Sequence, residues 1–188
     1  VDNLSMFDDF AVFFFEQLFT KLGVEDEIAI VSPDAGGVGR AKFFMGLLLD
    51  LGVAGERLSM AITIRQMTAS TITVNMVGDV AGKHCVIIDD IIDTGVRVCT
   101  TADALLDLGA KTVGVIATHG LFTGKALIKI EASEIDYCLV SDTIALPIDA
   151  NSITQKIIQV SCASIISEAI DAINHDDSVS HLFAIGRE

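Results

Sequence analysis

The sequence predicts an α/β domain with a mostly parallel sheet and helices on both faces. Three observations predict it. Short β-branched, apolar runs recur at residues 28–31, 85–88, 113–117, 137–140 and 157–160. Segments with helical apolar spacing lie between them, at residues 38–51, 98–108 and 125–130. No repeat, low-complexity tract or linker interrupts the 188 residues, so they read as one domain. Continuous apolar strands alternating with helices mark a parallel sheet buried on both faces.

Taken in order, residues 8–22 form an amphipathic first helix with Ser5 or Asp8 as its cap. Residues 28–31 are a strand stopped by Ser32-Pro33, and residues 38–51 carry the next helix. Residues 58–64 alternate as a half-buried strand does, whereas residues 66–73 are polar, Thr-rich and nearly patternless. The run at 85–88 is bounded by carboxylates, and the helix at 98–108 ends before Gly109. A strand at 113–117, a short helix at 125–130, strands at 137–140 and 157–160 and a closing helix at 163–173 complete the chain.

Composition narrows the function. Hydrophobic residues make up 51% of the chain, and 12 basic against 26 acidic residues give a net charge of −14. The mean hydropathy is +0.58. So few cations exclude non-specific nucleic-acid binding, which depends on neutralising phosphates. Phosphorylated metabolites remain possible if backbone amides, a few basic groups and Mg²⁺ supply the positive field. The apolar stretches at 11–15 and 43–49 are cut by Glu16 and Asp50, short of the roughly 18–20 residues of a membrane span. The first twenty residues hold no Lys or Arg, unlike a signal peptide. Cys85, Cys99, Cys138 and Cys162 lack CxxC spacing and sit in apolar segments. They are expected to be reduced packing residues, which suggests a cytoplasmic or other reducing intracellular compartment.

Parallel sheets bind ligands at the carboxyl ends of their strands, and three such ends stand out. Ser32-Pro33-Asp34-Ala35-Gly36-Gly37-Val38-Gly39-Arg40 is a strand end and glycine-rich turn that opens a helix. The glycines allow close approach of an anion, and the helix start offers N–H groups. Asp34 would repel phosphate unless Mg²⁺ lay between them; the alternative is a plain βα turn capped by Asp34. The second end is Val86-Ile87-Ile88-Asp89-Asp90-Ile91-Ile92-Asp93-Thr94-Gly95. Adjacent carboxylates repel each other and need cations or paired hydroxyls, which a sugar diol supplies. Asp93-Thr94-Gly95 then opens a tight loop suited to a phosphomonoester. His119, in Ala117-Thr118-His119-Gly120, reads as a satisfied structural residue.

These residues resemble the ribose-phosphate pyrophosphokinase (PRPP synthetase) family of the phosphoribosyltransferase fold. The likeness rests on SPDAGGVGRA from Ser32, VGDVAGK from Val77, VIIDDIIDT from Val86, THGLFTG from Thr118, SDTIALP from Ser141 and SVSHLF from Ser178. The resemblance implies that residues 1–188 are one phosphoribosyltransferase-type domain, the carboxyl-terminal part of a two-domain enzyme. The amino-terminal domain of the family supplies much of the ATP site and a metal-binding histidine. The implied reaction is Mg²⁺-dependent transfer of the β,γ-pyrophosphoryl group of ATP to the C1 hydroxyl of ribose 5-phosphate. Asp34 would then meet Mg²⁺, and Gly36 and Gly37 would border the pyrophosphate. Asp89 and Asp90 would hold the ribose hydroxyls, while Asp93, Thr94 and Gly95 would begin the 5-phosphate loop. Asp2, Asn3, Ser178, Ser180 and Phe183 match positions lining an allosteric site between subunits. The family forms hexamers built from dimers, so a homo- or hetero-oligomer of such chains is expected.

Two departures accompany the likeness. The family loop continues with a small residue, Gly and then Thr or Ser, where this chain has Val96 and Arg97 after Gly95. Valine resists positive φ and adds bulk. Arg97 has two readings, a replacement phosphate ligand or a side chain that fills the pocket. Counting back from Val77 without gaps places the family's mobile catalytic Lys-x-Arg on Thr63-Ile64-Arg65. Arg65 keeps its cation and Thr63 does not, and losing one such contact typically costs about 10²–10³ in rate. The alternative function is therefore a non-catalytic subunit or structural paralogue that uses the fold for protein–protein assembly.

Overall fold

In the computed structural model, the described residues are 4–67 and 72–182, with side chains described for 4–64 and 75–182. Seven strands form one sheet: β1 (Ile28–Ser32), β2 (Leu58–Met67), β3 (Ile72–Val77), β4 (His84–Ile92), β5 (Thr112–Gly120), β6 (Tyr137–Ser141) and β7 (Ile157–Val160). Their spatial order is β3-β2-β1-β4-β5-β6-β7. Every neighbouring pair is parallel except β2 and β3. The helices are α1 (Phe7–Gln17), α2 (Val38–Asp50), α3 (Val96–Asp107), α4 (Ala126–Ala132), α5 (Ala150–Ile153) and α6 (Ala163–Asn174). The α/β architecture read from the sequence is thus the one observed.

Two apolar layers sandwich the sheet. On one face Phe10, Phe14, Phe44 and Leu48 from α1 and α2 pack on Ile28, Ile30, Val86 and Ile88. On the other, Val98, Ala102, Leu105 and Ile130 from α3 and α4 pack on Val31, Ile87, Val113 and Val115. Alternate residues of β1 and β4 feed opposite layers, so residues 28–31 and 85–88 are apolar and buried on both faces. Phe7, Phe14 and Phe44 meet edge to face at centroid separations of 6.0 and 6.2 Å. That geometry suits the positive ring edge over a negative face.

Several boundaries differ from the sequence reading, each for a local reason. The first helix ends at Gln17 and continues as a 3₁₀ turn at Phe19–Lys21. Ser5 rather than Asp8 ties down its start, accepting the Phe7 N–H at 3.2 Å. The stretch at 66–73 carries strand at both ends, because β2 runs on to Met67 and turns back as β3. Its Thr and β-branched residues suit an edge hairpin without alternation strong enough to reveal it. β4 runs on through Asp89 and Asp90 to Ile92 and stays paired with β5 as far as Ile92↔Gly120. The two carboxylates therefore lie within the strand rather than beyond its end.

From β1 the chain crosses to β2 on one side, and β4 then lies on the other. The topological switch point falls between the carboxyl ends of β1 and β4, the usual crevice for ligands in such sheets. No helix among the described residues is long and apolar enough to cross a membrane.

Candidate functional site

The β1 end delivers Asp34 to that crevice. Its backbone is extended, and Oδ1 accepts the Gly37 N–H at 2.9 Å, so Asp34 caps the 3₁₀ turn leading into α2. Ser32 Oγ donates to the Asp34 carbonyl at 2.6 Å. A Cβ on Gly37 would lie 2.7 Å from Ser32 Oγ, which explains glycine there. With the Gly37 amide committed to Asp34, the turn is wound on its own carboxylate.

The β4 end delivers the carboxylate pair. Asp89 is 0% exposed, while the Asp90 side chain is about half exposed. Burial pushes the Asp89 carboxyl up to about 6, the adjoining Asp90 carboxyl adds to the rise, and Arg97 opposes it. Partial burial also disfavours the Asp90 anion, yet Asp89 and the Arg40 charge hold it below the usual carboxylate range.

Two arginines meet these carboxylates. Arg97, in the first turn of α3, crosses to the β1 end. Its Nη1 donates to Asp34 Oδ2 at 3.0 Å, and its Nη2 lies 3.0 Å from Asp89 Oδ2 and 3.8 Å from Asp90 Oδ1. Arg40 from α2 approaches Asp89 at 3.6 Å and Asp90 at 3.4 Å. Arg97 Nη2 also donates to Asp89 Oδ1 at 3.2 Å, so Arg97 is hydrogen-bonded to Asp89 although Oδ2 itself has no aligned hydrogen bond. Arg97 thus reaches across to the carboxylates, and it also lines the cavity beside Asp93 and Thr94.

The loop after β4 turns at Gly95. Gly95 has φ +74°, the left-handed conformation at the start of α3, and Val96 is already helical. The positive φ expected to trouble Val96 thus falls on glycine, and the valine is not strained. A cavity of about 140 Å³ is lined by Ile91 to Gly95, Arg97 and Val98. Thr123 Oγ1 donates to Asp93, and Lys129 Nζ donates to the Thr94 carbonyl at 3.1 Å. His119 is satisfied by Thr143 Oγ1 at 2.8 Å, as its structural reading requires.

The positions read from the sequence as a catalytic loop, Thr63 and Arg65, lie in β2. Thr63 is inside β2 at 0% exposure, with its hydroxyl 3.3 Å from the Ser32 carbonyl. Arg65 pairs with Val74 in the hairpin, and its side chain lies outside the described residues. Of the positions that the resemblance marks as allosteric, Ser178 and Ser180 are exposed and share a hydroxyl contact of 2.6 Å. Asp2, Asn3 and Phe183 lie outside the described residues.

The structure therefore brings together Asp34, Asp89, Asp90, Gly36 and Gly37, with Asp93, Thr94 and Gly95 beside them. Sequence reasoning missed Arg40 and Lys129. Arg40 had a signal, a cation six residues after Asp34 within the same glycine-rich string, whereas Lys129 had none. The donor set does not fit Mg²⁺. Each carboxylate near the switch point already faces a guanidinium of the chain itself.

Comparison with known proteins shows the family of the chain. A family model described as the phosphoribosyl synthetase-associated domain matches residues 56–184. A ribose-phosphate pyrophosphokinase from Vibrio vulnificus is 39% identical over 162 residues, 86% of this chain and 49% of that protein. One from Chromobacterium violaceum is 39% identical over 159 residues, 84% of this chain and 46% of that protein. The chain thus spans about half the length of these relatives. The phosphoribosylpyrophosphate synthetase of Mycobacterium smegmatis superposes with TM-score 0.75 at 24% identity, covering 91% of this chain and 51% of that one. A hypoxanthine phosphoribosyltransferase from Trypanosoma cruzi, complexed with the product IMP, gives TM-score 0.51 at 10% identity over 83% and 71% of the two chains. These two structures show a shared fold. With its family-specific domain and its strand-end motifs in place, the chain belongs to the ribose-phosphate pyrophosphokinase (PRPP synthetase) family.

Proposed function

We propose that this chain is a non-catalytic PRPP synthetase-like domain that assembles with chains of the same family. The observation that carries the reading is Thr63. Where the family places a mobile lysine, this chain has a buried hydroxyl held against Ser32 inside the sheet. Pyrophosphoryl transfer needs fixed cations around the moving phosphates, and no cation can project from that position. Exposed Ile166, Ile170 and Ile173 line the outer side of α6 at helical spacing, an apolar stripe suited to assembly.

The preserved phosphate loop favours a second reading, the family reaction itself. Gly95 in its left-handed conformation and the cavity beside Asp93 and Thr94 would seat the phosphate of ribose 5-phosphate. That reading also takes ATP as the pyrophosphoryl donor and the C1 hydroxyl as acceptor.

Incubation of the chain with ribose 5-phosphate, isotope-labelled ATP and Mg²⁺ separates the two. The expected result is no PRPP above a heat-killed control, alone or mixed with a catalytically silenced family partner. PRPP formation above that control would refute the non-catalytic reading.

A further inference from the structure

The geometry points to Arg97 as a built-in cation that occupies the place of a divalent metal ion among Asp34, Asp89 and Asp90. This inference rests on the non-catalytic reading and deepens it.

The first support is reach. The two terminal nitrogens of Arg97 contact carboxylates from two different strands, at 3.0 Å to Asp34 and 3.0 Å to Asp89. Asp90 lies 3.8 Å from the same guanidinium. A planar, permanently charged fork can serve several carboxylates at once, which a threonine or glycine here could not do. Arg40 pairs with Asp89 and Asp90, so among the described residues Arg97 is the cation that joins Asp34 to the cluster.

The second support is the state of Asp89. Its side chain is 0% exposed, and Oδ2 lacks an aligned hydrogen bond. A carboxylate buried in this way is costly unless a cation stands close by. Arg97 supplies that cation at 3.0 Å.

The third support is spacing. No three acidic, His or Cys residues among those described are spaced as a metal cluster. Three carboxylates face two guanidiniums, which leaves one negative charge. Loss of Arg97 would leave two, the charge a divalent cation neutralises. Asp34 and Asp90 are partly exposed, so a cation from solvent can reach them once the guanidinium is gone. While Arg97 is present, its guanidinium also stands beside the oxygens of Asp89 and Asp90 that a sugar diol needs.

The test is titration of the whole chain with Mn²⁺, followed by electron paramagnetic resonance of free Mn²⁺ and by thermal unfolding. Wild type is compared with Arg97→Ala, Arg97→Gln and Arg97→Lys. Wild type and Arg97→Lys should show the same Tm in Mn²⁺ as in chelator, and no Asp34-dependent Mn²⁺ binding. At least one neutral variant should bind one Mn²⁺ per chain at least about tenfold more tightly and gain Tm on binding. Adding Asp34→Asn should abolish that gain, which separates the site from general attraction to an acidic surface. Arg97→Gln keeps the side-chain length and a hydrogen-bonding head should Arg97→Ala fold poorly. Asp34-dependent Mn²⁺ binding by wild type, or no gain by either neutral variant, would overturn the inference. PRPP synthesis by wild type would refute the non-catalytic reading, whereas a missing Mn²⁺ gain with no PRPP would refute the role of Arg97 alone.

Discussion

Placing lysine at position 63, where the family has it, should destabilise this chain rather than restore a cationic loop. Thr63 is fully buried in β2, opposite Met76, with its hydroxyl 3.3 Å from the Ser32 carbonyl. Three costs follow from Thr63→Lys. Loss of the hydroxyl contact costs about 0.5–1.5 kcal/mol. A longer side chain in a packed strand adds about 1–3 kcal/mol of strain. Deprotonating a lysine at neutral pH, from its ordinary pKa near 10.4, costs about 5 kcal/mol if the amine stays buried. Partial escape of the amine toward the strand end reduces the last figure, so a loss of about 4 kcal/mol is expected. Urea unfolding followed by far-UV circular dichroism reads this as a fall of about 2 M in the midpoint, for a slope of about 2 kcal/mol/M. Thr63→Val, which keeps the volume and removes the hydroxyl, should lose about 1 kcal/mol. A Thr63→Lys midpoint within a few tenths molar of wild type would show that position 63 is not the buried strand site described.

The remaining predictions concern the turn, the core and acid stability. Gly37→Ala places its Cβ 2.7 Å from Ser32 Oγ and should cost about 1–3 kcal/mol, read as a lower Tm with the secondary structure retained. Phe44→Ala removes a fully buried ring from the face shared with α1 and should cost about 3–5 kcal/mol in urea unfolding. Asp142 is held at about 2 by its hydrogen bonds with Cys162 and Ser161, and Asp26 at about 2 by Lys111 and the Gly23 N–H. Their folded pKa values lie below the unfolded ones, so their contribution is complete above about pH 4 and fades as pH falls toward about 2. Asp142→Asn should therefore flatten the acid limb of a Tm–pH profile between those values, and an unchanged limb would contradict the assignment.

The sheet was legible because its central strands are nearly pure β-branched runs. Residues 28–31 and 85–88 are buried on both faces, and a strand in that position shows its character in every residue. Elements with mixed surroundings were harder to read. The β2–β3 hairpin lies at an edge, where polar threonines are tolerated and no strict alternation is imposed. The carboxylates concealed the extension of β4, since Asp89-Asp90 looks like the end of a strand until its pairing with β5 is seen. The candidate site was legible as residue types, because glycine-rich turns and paired carboxylates are rare at strand ends. The direction of Arg97 was not. Its partner Asp34 is 63 residues away, and only the α/β crossover brings the first turn of α3 to the end of β1. The same holds for Thr63, whose burial depends on a hairpin that the local sequence scarcely marks.

The central claim is that the carboxylates of this site are satisfied by the arginines of the chain itself. A crystal structure grown in excess Mg²⁺ and ribose 5-phosphate tests it most directly. The account predicts the Arg97 guanidinium within hydrogen-bonding distance of Asp34 and Asp89, with no metal ion or sugar diol on those carboxylates. Mg²⁺ on Asp34, with Arg97 swung away and ribose hydroxyls on Asp89 and Asp90, would contradict it.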